Sequence, residues 1–221
     1  MTDGEIVDAI QRGELGIDPY EEKRQEPCSY DARLGKEALL SRDDKLIDLR
    51  KEGGLTLEAG DFALVVTHES FRMPLDIAGH IGMKSGLARQ GLMLLAGMQI
   101  DPGFDAHLRL GLYNGSGRPI TVDHQDPLCT IEFHRLASNV VKGIRAFPEL
   151  KDGRIPPSDK AFLRELETTS LTDLRNDMRS LTQSMNGLTQ NMKTLSTITY
   201  AVILPALLAI FAALLASFLV K

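Results

Sequence analysis

The stretch Ala63–Val122, ALVVTHESFRMPLDIAGHIGMKSGLARQGLMLLAGMQIDPGFDAHLRLGLYNGSGRPITV, decides the fold class. Short apolar runs recur in it between turn-forming residues: Ile77–Ile81, Leu92–Leu95 and Leu108–Tyr113. In the last run Leu108, Leu110 and Leu112 alternate with His107, Arg109 and Tyr113, the period of a strand with one buried face. Asn114-Gly115-Ser116-Gly117 is a turn by composition. Outward from this stretch the pattern continues in Phe62–Val66 and Leu128–Phe133. Asp3–Arg12 reads instead as a helix, with Ile6, Ala9 and Ile10 on one face. No repeat of solenoid length is visible. Residues 1–150 therefore read as one mainly β domain, and 151–160, which contains KDGRIPPSD, as a linker by its Pro, Gly and charge content.

The whole chain has 221 residues, 43% of them apolar and 25% charged, with a net charge of −5. A protein that coats nucleic acid needs a basic face, so this balance disfavours general nucleic-acid binding. Two cysteines, Cys28 and Cys129, exclude a disulfide scaffold and fit a reducing compartment. The opening MTDGEIVDAIQRGEL carries charges where a secretory signal has its apolar core.

The end of the chain has a different character. Leu171, Leu174, Met178, Leu181, Met185, Leu188, Met192 and Leu195 follow a 3, 4, 3, 4 spacing, the a/d seam of a coiled coil. Leu163 and Leu166 fall out of phase with it, so the register breaks near Ser170. Ile198–Val220, ITYAVILPALLAIFAALLASFLV, then runs 23 residues without a charge, which at about 1.5 Å per residue spans a hydrocarbon core. The same heptad phase carried into it meets Thr199, Val202, Ala206, Ala209, Ala213 and Ala216, small residues that allow close helix approach in lipid. The expectation is an α-helical coiled-coil stalk over 161–197 and a single transmembrane helix over 198–220. The expected side for the N-terminal domain is the cytoplasmic face of a cell inner membrane, and Lys193, Arg179 and Arg175 before the span agree with it.

Most chemistry-bearing motifs are missing. Five histidines and two distant cysteines do not supply the H-x-E and P-C-x-x-C of a zinc deaminase, so no metal bound by side chains is expected. GHIGMKS, residues 79–85, is not a phosphate loop, because Met83 separates the second glycine from Lys84. Two segments remain. Lys84-Ser85-Gly86-Leu87-Ala88-Arg89 gathers two cations, a hydroxyl and a permissive glycine that suit an anionic group. Ile100-Asp101-Pro102-Gly103-Phe104 puts a carboxylate at a strand end beside an aromatic ring.

Taken together with EPCSYDARLG, residues 26–35, the order and spacing of these segments over about residues 1–140 resemble the dCTP deaminase and dUTPase superfamily. The resemblance implies a distorted jelly-roll or β-barrel body, a homotrimer with nucleotide sites between subunits, and magnesium carried by the nucleotide's triphosphate. It places Lys84, Ser85, Gly86 and Arg89 in the phosphate-binding segment, with Lys84 standing for the family's arginine without its bidentate fork. It places Gly97, Met98 and Gln99 in the segment that reads the base, and Asp101 near the deoxyribose, where in dUTPases it positions the attacking water. Phe104 matches the aromatic residue beneath the sugar.

The departures from the family pattern bear on function. Where deaminases read L-E-x-x-N, this chain reads Leu110-Gly111-Leu112-Tyr113-Asn114, so the carboxylate that moves protons to the pyrimidine is lost. His124-Gln125-Asp126-Pro127-Leu128-Cys129-Thr130 stands where the family has P-G-D-x-I-A-Q, without its glycine and glutamine. No glycine-rich C-terminal lid follows. The expected function is a membrane-anchored trimeric nucleotide sensor without deaminase activity, an architecture that would suit a bacterial antiviral effector. Its ligand is a pyrimidine deoxynucleotide or a nucleotide second messenger. The alternatives are a tethered dUTPase-like pyrophosphatase using Asp101, a dCTP deaminase, or a structural trimer without ligand.

Overall fold

The computed structural model of the chain describes residues 1–42, 45–142, 146–164 and 171–203, with positions 205 and 210. They group into two units, Met1–Thr172 and Asp173–Lys221.

The first unit opens with α1 (Asp3–Gln11), started by a capping box in which Thr2 and Glu5 satisfy each other's backbone N–H groups. Ile6 and Ala9 bury its apolar face. Then come β1 (Gly16–Asp18), β2 (Gln25–Glu26), β3 (Ser29–Leu40), β4 (Lys45–Asp48), the one-turn α2 (Leu49–Glu52) and β5 (Gly54–Leu57). They are followed by β6 (Phe62–Arg72), β7 (Ile77–Met83), α3 (Ser85–Gln90), β8 (Leu92–Leu95), β9 (Gln99–Ile100), β10 (Asp105–Asn114), β11 (Ile120–Asp123) and β12 (Pro127–Arg135).

Ten strands form one antiparallel sheet whose main path is β8-β10-β6-β3-β12-β7-β9, with β1 on β6 and β2 and β4 on β3. A separate ribbon pairs β11 with β5. The body is mainly β, as the alternating runs predict, and each of the five predicted strands lies inside or on an observed one. Tyr30, Leu34, Phe71, Ile77, Leu112, Ile131 and Phe133 fill the core.

Ion pairs also cross this core. Arg33 of β3, 3% exposed, donates from its backbone N at 2.8 Å and its Nε at 2.5 Å to Glu69 of β6, which has no exposed surface. Arg33 Nη1 also reaches Glu21. Burial pushes the Glu69 carboxyl up, against the opposing pull of the Arg33 hydrogen bonds. Such a pair fixes the relation of two strands more than it adds stability.

The 151–159 stretch, composed like a linker, lies docked on the sheet. Leu150 and Ile155 are buried, and Ile155 packs on Leu39 and Val66. The Ile155 amide donates to Glu37 at 3.0 Å, Lys151 pairs with Asp105 at 2.7 Å, and Arg109 Nη1 reaches both Asp159 oxygens at 2.8 and 2.6 Å. Pro157 opens α4 (Pro157–Arg164), where a missing N–H costs nothing. Pro and Gly here shape a strap along β3, β6 and β10, and the apolar Leu150 and Ile155 anchor it.

The second unit contains most of α5 (Leu171–Ile198), which continues as a π-helical turn, Thr199–Ile203. Met178, Leu181, Met185, Leu188, Met192 and Leu195 stand between 63% and 72% exposed at the seam spacing. Among the described residues no helix is long and apolar enough to cross a membrane. The expected span over 198–220 falls mostly outside those residues.

Gln125, in the turn before β12, holds φ at +67°, the left-handed region that favours glycine. The P-G-D pattern quoted above has glycine at this position, and the backbone explains why: the Gln125 amide donates to Leu34 O at 3.0 Å while Leu34 N donates to Asp126 O at 2.9 Å, which fixes the turn. The Gln125 side chain is exposed. Gln125→Gly should therefore raise unfolding stability by up to about 1 kcal/mol, measured by denaturant titration. A loss of stability would show that the glutamine side chain supports the turn.

Candidate functional site

Strand β7 ends at Met83, and Lys84 turns the chain into α3, its amide donating to Leu128 O at 3.2 Å and its carbonyl accepting from Leu87 and Ala88. Gly91, at φ +99°, ends the helix, and a Cβ there would stand 2.8 Å from Ser116 Cβ. The expected phosphate segment is thus a short, surface-facing turn of helix. Ser85 and Arg89 are exposed on it, and Arg89 has no ion-pair partner among the described residues.

Lys84 is placed differently. Its Nζ lies 2.5 Å from Asp31 Oδ2, and Thr130 Oγ1 donates to Asp31 Oδ1 at 2.8 Å. Asp31 is 5% exposed on β3, directly opposite Thr130 of β12. The position where the family pattern has its glutamine is therefore occupied by a hydroxyl committed to Asp31. Beside this cluster burial pushes the Cys129 thiol far up, which keeps it protonated and inert, and burial also pushes the Tyr30 phenol up to about 12.

Gly97, Met98 and Gln99 lead into β9, the strand at the β7 edge of the sheet. Ile81 N donates to Met98 O at 2.8 Å, and Gln99 stands opposite His80. Gln99 Nε2 donates to the exposed Asp101 carboxylate at 2.7 Å. Met98, 68% exposed, shares a hollow of about 370 Å³ with His80, Gly82, Met83, Thr130 and Glu132. The segments expected to read the base and to bind the phosphates thus approach each other along β7.

Phe104 does not line this hollow. It is 8% exposed and packs its ring 5.9 Å from that of Phe147. Among the described residues no group of three His, Cys, Asp or Glu side chains is placed to hold a metal ion.

Gly111 sits in β10 between Leu64 of β6 and Leu95 of β8. A Cβ built on it would lie 2.5 Å from the Leu95 carbonyl oxygen and 3.0 Å from the Phe62 ring. A glutamate does not fit this backbone, so the loss of the family carboxylate is built into the strand spacing. Phe62 itself packs against the small cluster of Leu39, Val66 and Ile155 that docks the strap. The missing carboxylate is legible in the sequence, whereas the Phe62 contact with Gly111 and the docked strap are not. The partner of Asp31 is not legible from EPCSYDARLG, because Lys84 lies 53 residues away.

Gly111→Ala should lower stability by about 1–3 kcal/mol, the cost of overpacking, and Gly111→Glu by more. Denaturant unfolding of both variants checks this, and wild-type stability of Gly111→Glu would show that the strands part freely.

A family model described as dCTP deaminase-like matches residues 1–136. The dCTP deaminase of Pyrococcus horikoshii is 38% identical over 125 residues, covering 57% of this chain and 78% of that protein. The dUMP-forming dCTP deaminase of Corynebacterium glutamicum is 32% identical over 139 residues, covering 55% and 73%. Among solved structures, 2′-deoxycytidine 5′-triphosphate deaminase from Agrobacterium tumefaciens superposes with a TM-score of 0.52 at 24% identity, over 60% of this chain and 46% of that one, so this chain spans under half of it. The matched region holds β3, β7, α3 and β10 with Gly111 in place of the carboxylate, and the chain is a member of the dCTP deaminase-like family.

Proposed function

We propose that the chain binds a phosphorylated pyrimidine deoxynucleotide or a nucleotide second messenger without deaminating it, and works as a membrane-anchored homotrimeric sensor. The observation that carries this reading is the packing at Gly111. The base-reading and phosphate-binding segments persist, while the position that would activate water for attack on the pyrimidine admits no side chain. General acid–base catalysis contributes about 10²–10⁴-fold, and here the same carboxylate would also prepare the nucleophile.

In this reading Ser85, Gly86 and Arg89 face the phosphates, Met98 and Gln99 face the base, and Asp101 faces the sugar. Magnesium enters with a triphosphate ligand, and side chains supply no metal site. Trimerisation would set the exposed Met93, Leu95 and Met98 and the seam of α5 against neighbouring copies. The uncharged run 198–220 would anchor the trimer in the inner membrane with the β body on the cytoplasmic side. A change at the nucleotide site would then reach the bilayer through the stalk, whose three seam methionines repack at modest cost. A bacterial antiviral pathway is a setting that suits such a device.

A second reading is favoured by one feature. Asp101 is exposed and oriented by Gln99, as a dUTPase-like pyrophosphatase would require of the group that positions water. Pyrophosphate release from dUTP would establish that reading in place of the sensor.

Titration calorimetry with dCTP tests the binding claim. Arg89→Ala should weaken it by about 1.5–3 kcal/mol, the value of a charge-assisted hydrogen bond. Unchanged affinity removes Arg89 from the site. The anchor is tested by fractionation: the full chain should stay with alkali-washed membranes and deletion of 198–220 should release it, whereas retention of the truncated chain contradicts the anchor.

A further inference from the structure

The strap closes over one titratable ring. His107 of β10 is half-buried, and its Nδ1 lies 3.0 Å from the Thr67 carbonyl oxygen. A carbonyl only accepts, so Nδ1 carries the proton and Nε2 of the neutral ring carries none. Gly153 of the strap is buried against that edge of the ring: a Cβ built on it would stand 3.1 Å from both Cε1 and Nε2. The glycine holds φ at +59°, in the left-handed region, and its amide donates to Leu150 O at 3.3 Å, so the chain passes the ring in a tight turn. Charged groups hold the strap on either side of Gly153. Lys36 of β3 donates to the Asp152 carbonyl, and Lys151 pairs with Asp105 at 2.7 Å. Glu37 Oε2 accepts from the Ile155 amide at 3.0 Å, while Arg154 stands 4.0 Å from Glu37 Oε1.

We propose that the strap is an acid-released clasp: neutral His107 keeps residues 151–155 docked on the sheet, and a second proton, taken up at Nε2 against Gly153, drives them off it. The groups around the ring set the direction. Burial disfavours the charged ring and the Lys36 ammonium repels it, whereas the Thr67 and Glu69 backbones and Asp18 of β1 favour it. His68 of β6 adds a like charge when both rings are protonated. From the strap, Lys151 is neutralised by Asp105, Arg154 stands by Glu37, and the Asp152 side chain is exposed. Burial prevails, and the docked ring titrates below the ordinary histidine value of 6.5. A released ring takes up its proton more readily than a docked one. Docking is therefore fully stabilised above the released value and loses that contribution as pH falls through the docked value. Release would uncover Leu39 and Val66 and remove the packing that holds Phe62 over Gly111. The clasp is independent of what the nucleotide site binds.

The test is amide hydrogen exchange of the full chain in detergent micelles, corrected for intrinsic rates and followed from about pH 8 to about pH 5. In the parent, protection of the Ile155 amide should fall about tenfold or more across that range, while Ile131 in the core keeps its protection. The fall should track the His107 imidazole titration read by NMR on the same sample. His107→Gln keeps a donor for the Thr67 carbonyl and takes no charge, so its Ile155 protection should stay flat. Lys36→Met removes the cation that repels the protonated ring and should shrink the fall. His124→Gln should leave it as in the parent. Where His107→Gln has already lost the strap at the alkaline end, Lys36→Met and the imidazole titration decide. Unchanged Ile155 protection in the parent overturns the clasp. So does a His107 ring that titrates at or above the ordinary histidine value. An acid-induced loss that persists in His107→Gln assigns release to another group, such as Glu37, and overturns it as well.

Discussion

The close approach of β10 to β8 and to the Phe62 ring at Gly111 is the constraint on which the rest turns. β10 lies between β6 and β8 in the main sheet, and it carries Arg109, which holds Asp159 of α4. With no side chain at 111, β8 pairs in register through Leu95 and Phe62 closes over the strand. The same packing lets Ile155 complete a small apolar cluster with Leu39 and Val66. A catalytic carboxylate and this packing exclude each other, since a Cβ alone already collides with a backbone oxygen. A single exchange to glutamate at 111 would collide with this packing. Strand spacing, the ring at 62 and the strap would have to change together.

A second rule concerns charge: ion pairs, some buried and some exposed, tie the elements of the body together. Arg33 and Glu69 tie β3 to β6, and Lys84 and Asp31 tie the start of α3 to β3. Arg109–Asp159 and Lys151–Asp105 tie the strap to β10. The buried pairs specify which strands meet more than they stabilise the fold, and the exposed ones contribute little each. The paired Lys84 distinguishes it from Arg89, although both look like free cations in the sequence.

Much of the body was legible in the sequence because period-2 alternation is a local signal. Leu108, Leu110 and Leu112 mark β10, and Ile6 and Ala9 mark α1. Gly111 could be read as a lost carboxylate by its place in L-x-x-x-N, but its steric cause could not, since Leu95 and Phe62 reach it only through pairing of distant strands. The same limit hid the Lys84–Asp31 pair. The strap was obscured by composition: KDGRIPPSD is rich in linker residues, and Leu150 and Ile155, which dock it, stand outside or alone within that run. Phe104 illustrates the converse. The family pattern marks it as a ring beneath a sugar, and in the single chain it packs against Phe147, a residue outside every quoted motif.

The account stands most directly on whether the chain deaminates dCTP. Ammonia release from dCTP in magnesium buffer, measured beside an active dCTP deaminase under identical conditions, decides it. The packing at Gly111 predicts no ammonia above the buffer blank while dCTP is recovered intact. Steady ammonia release at a rate comparable to the active enzyme would contradict the account, and would mean that another group of this chain moves the proton.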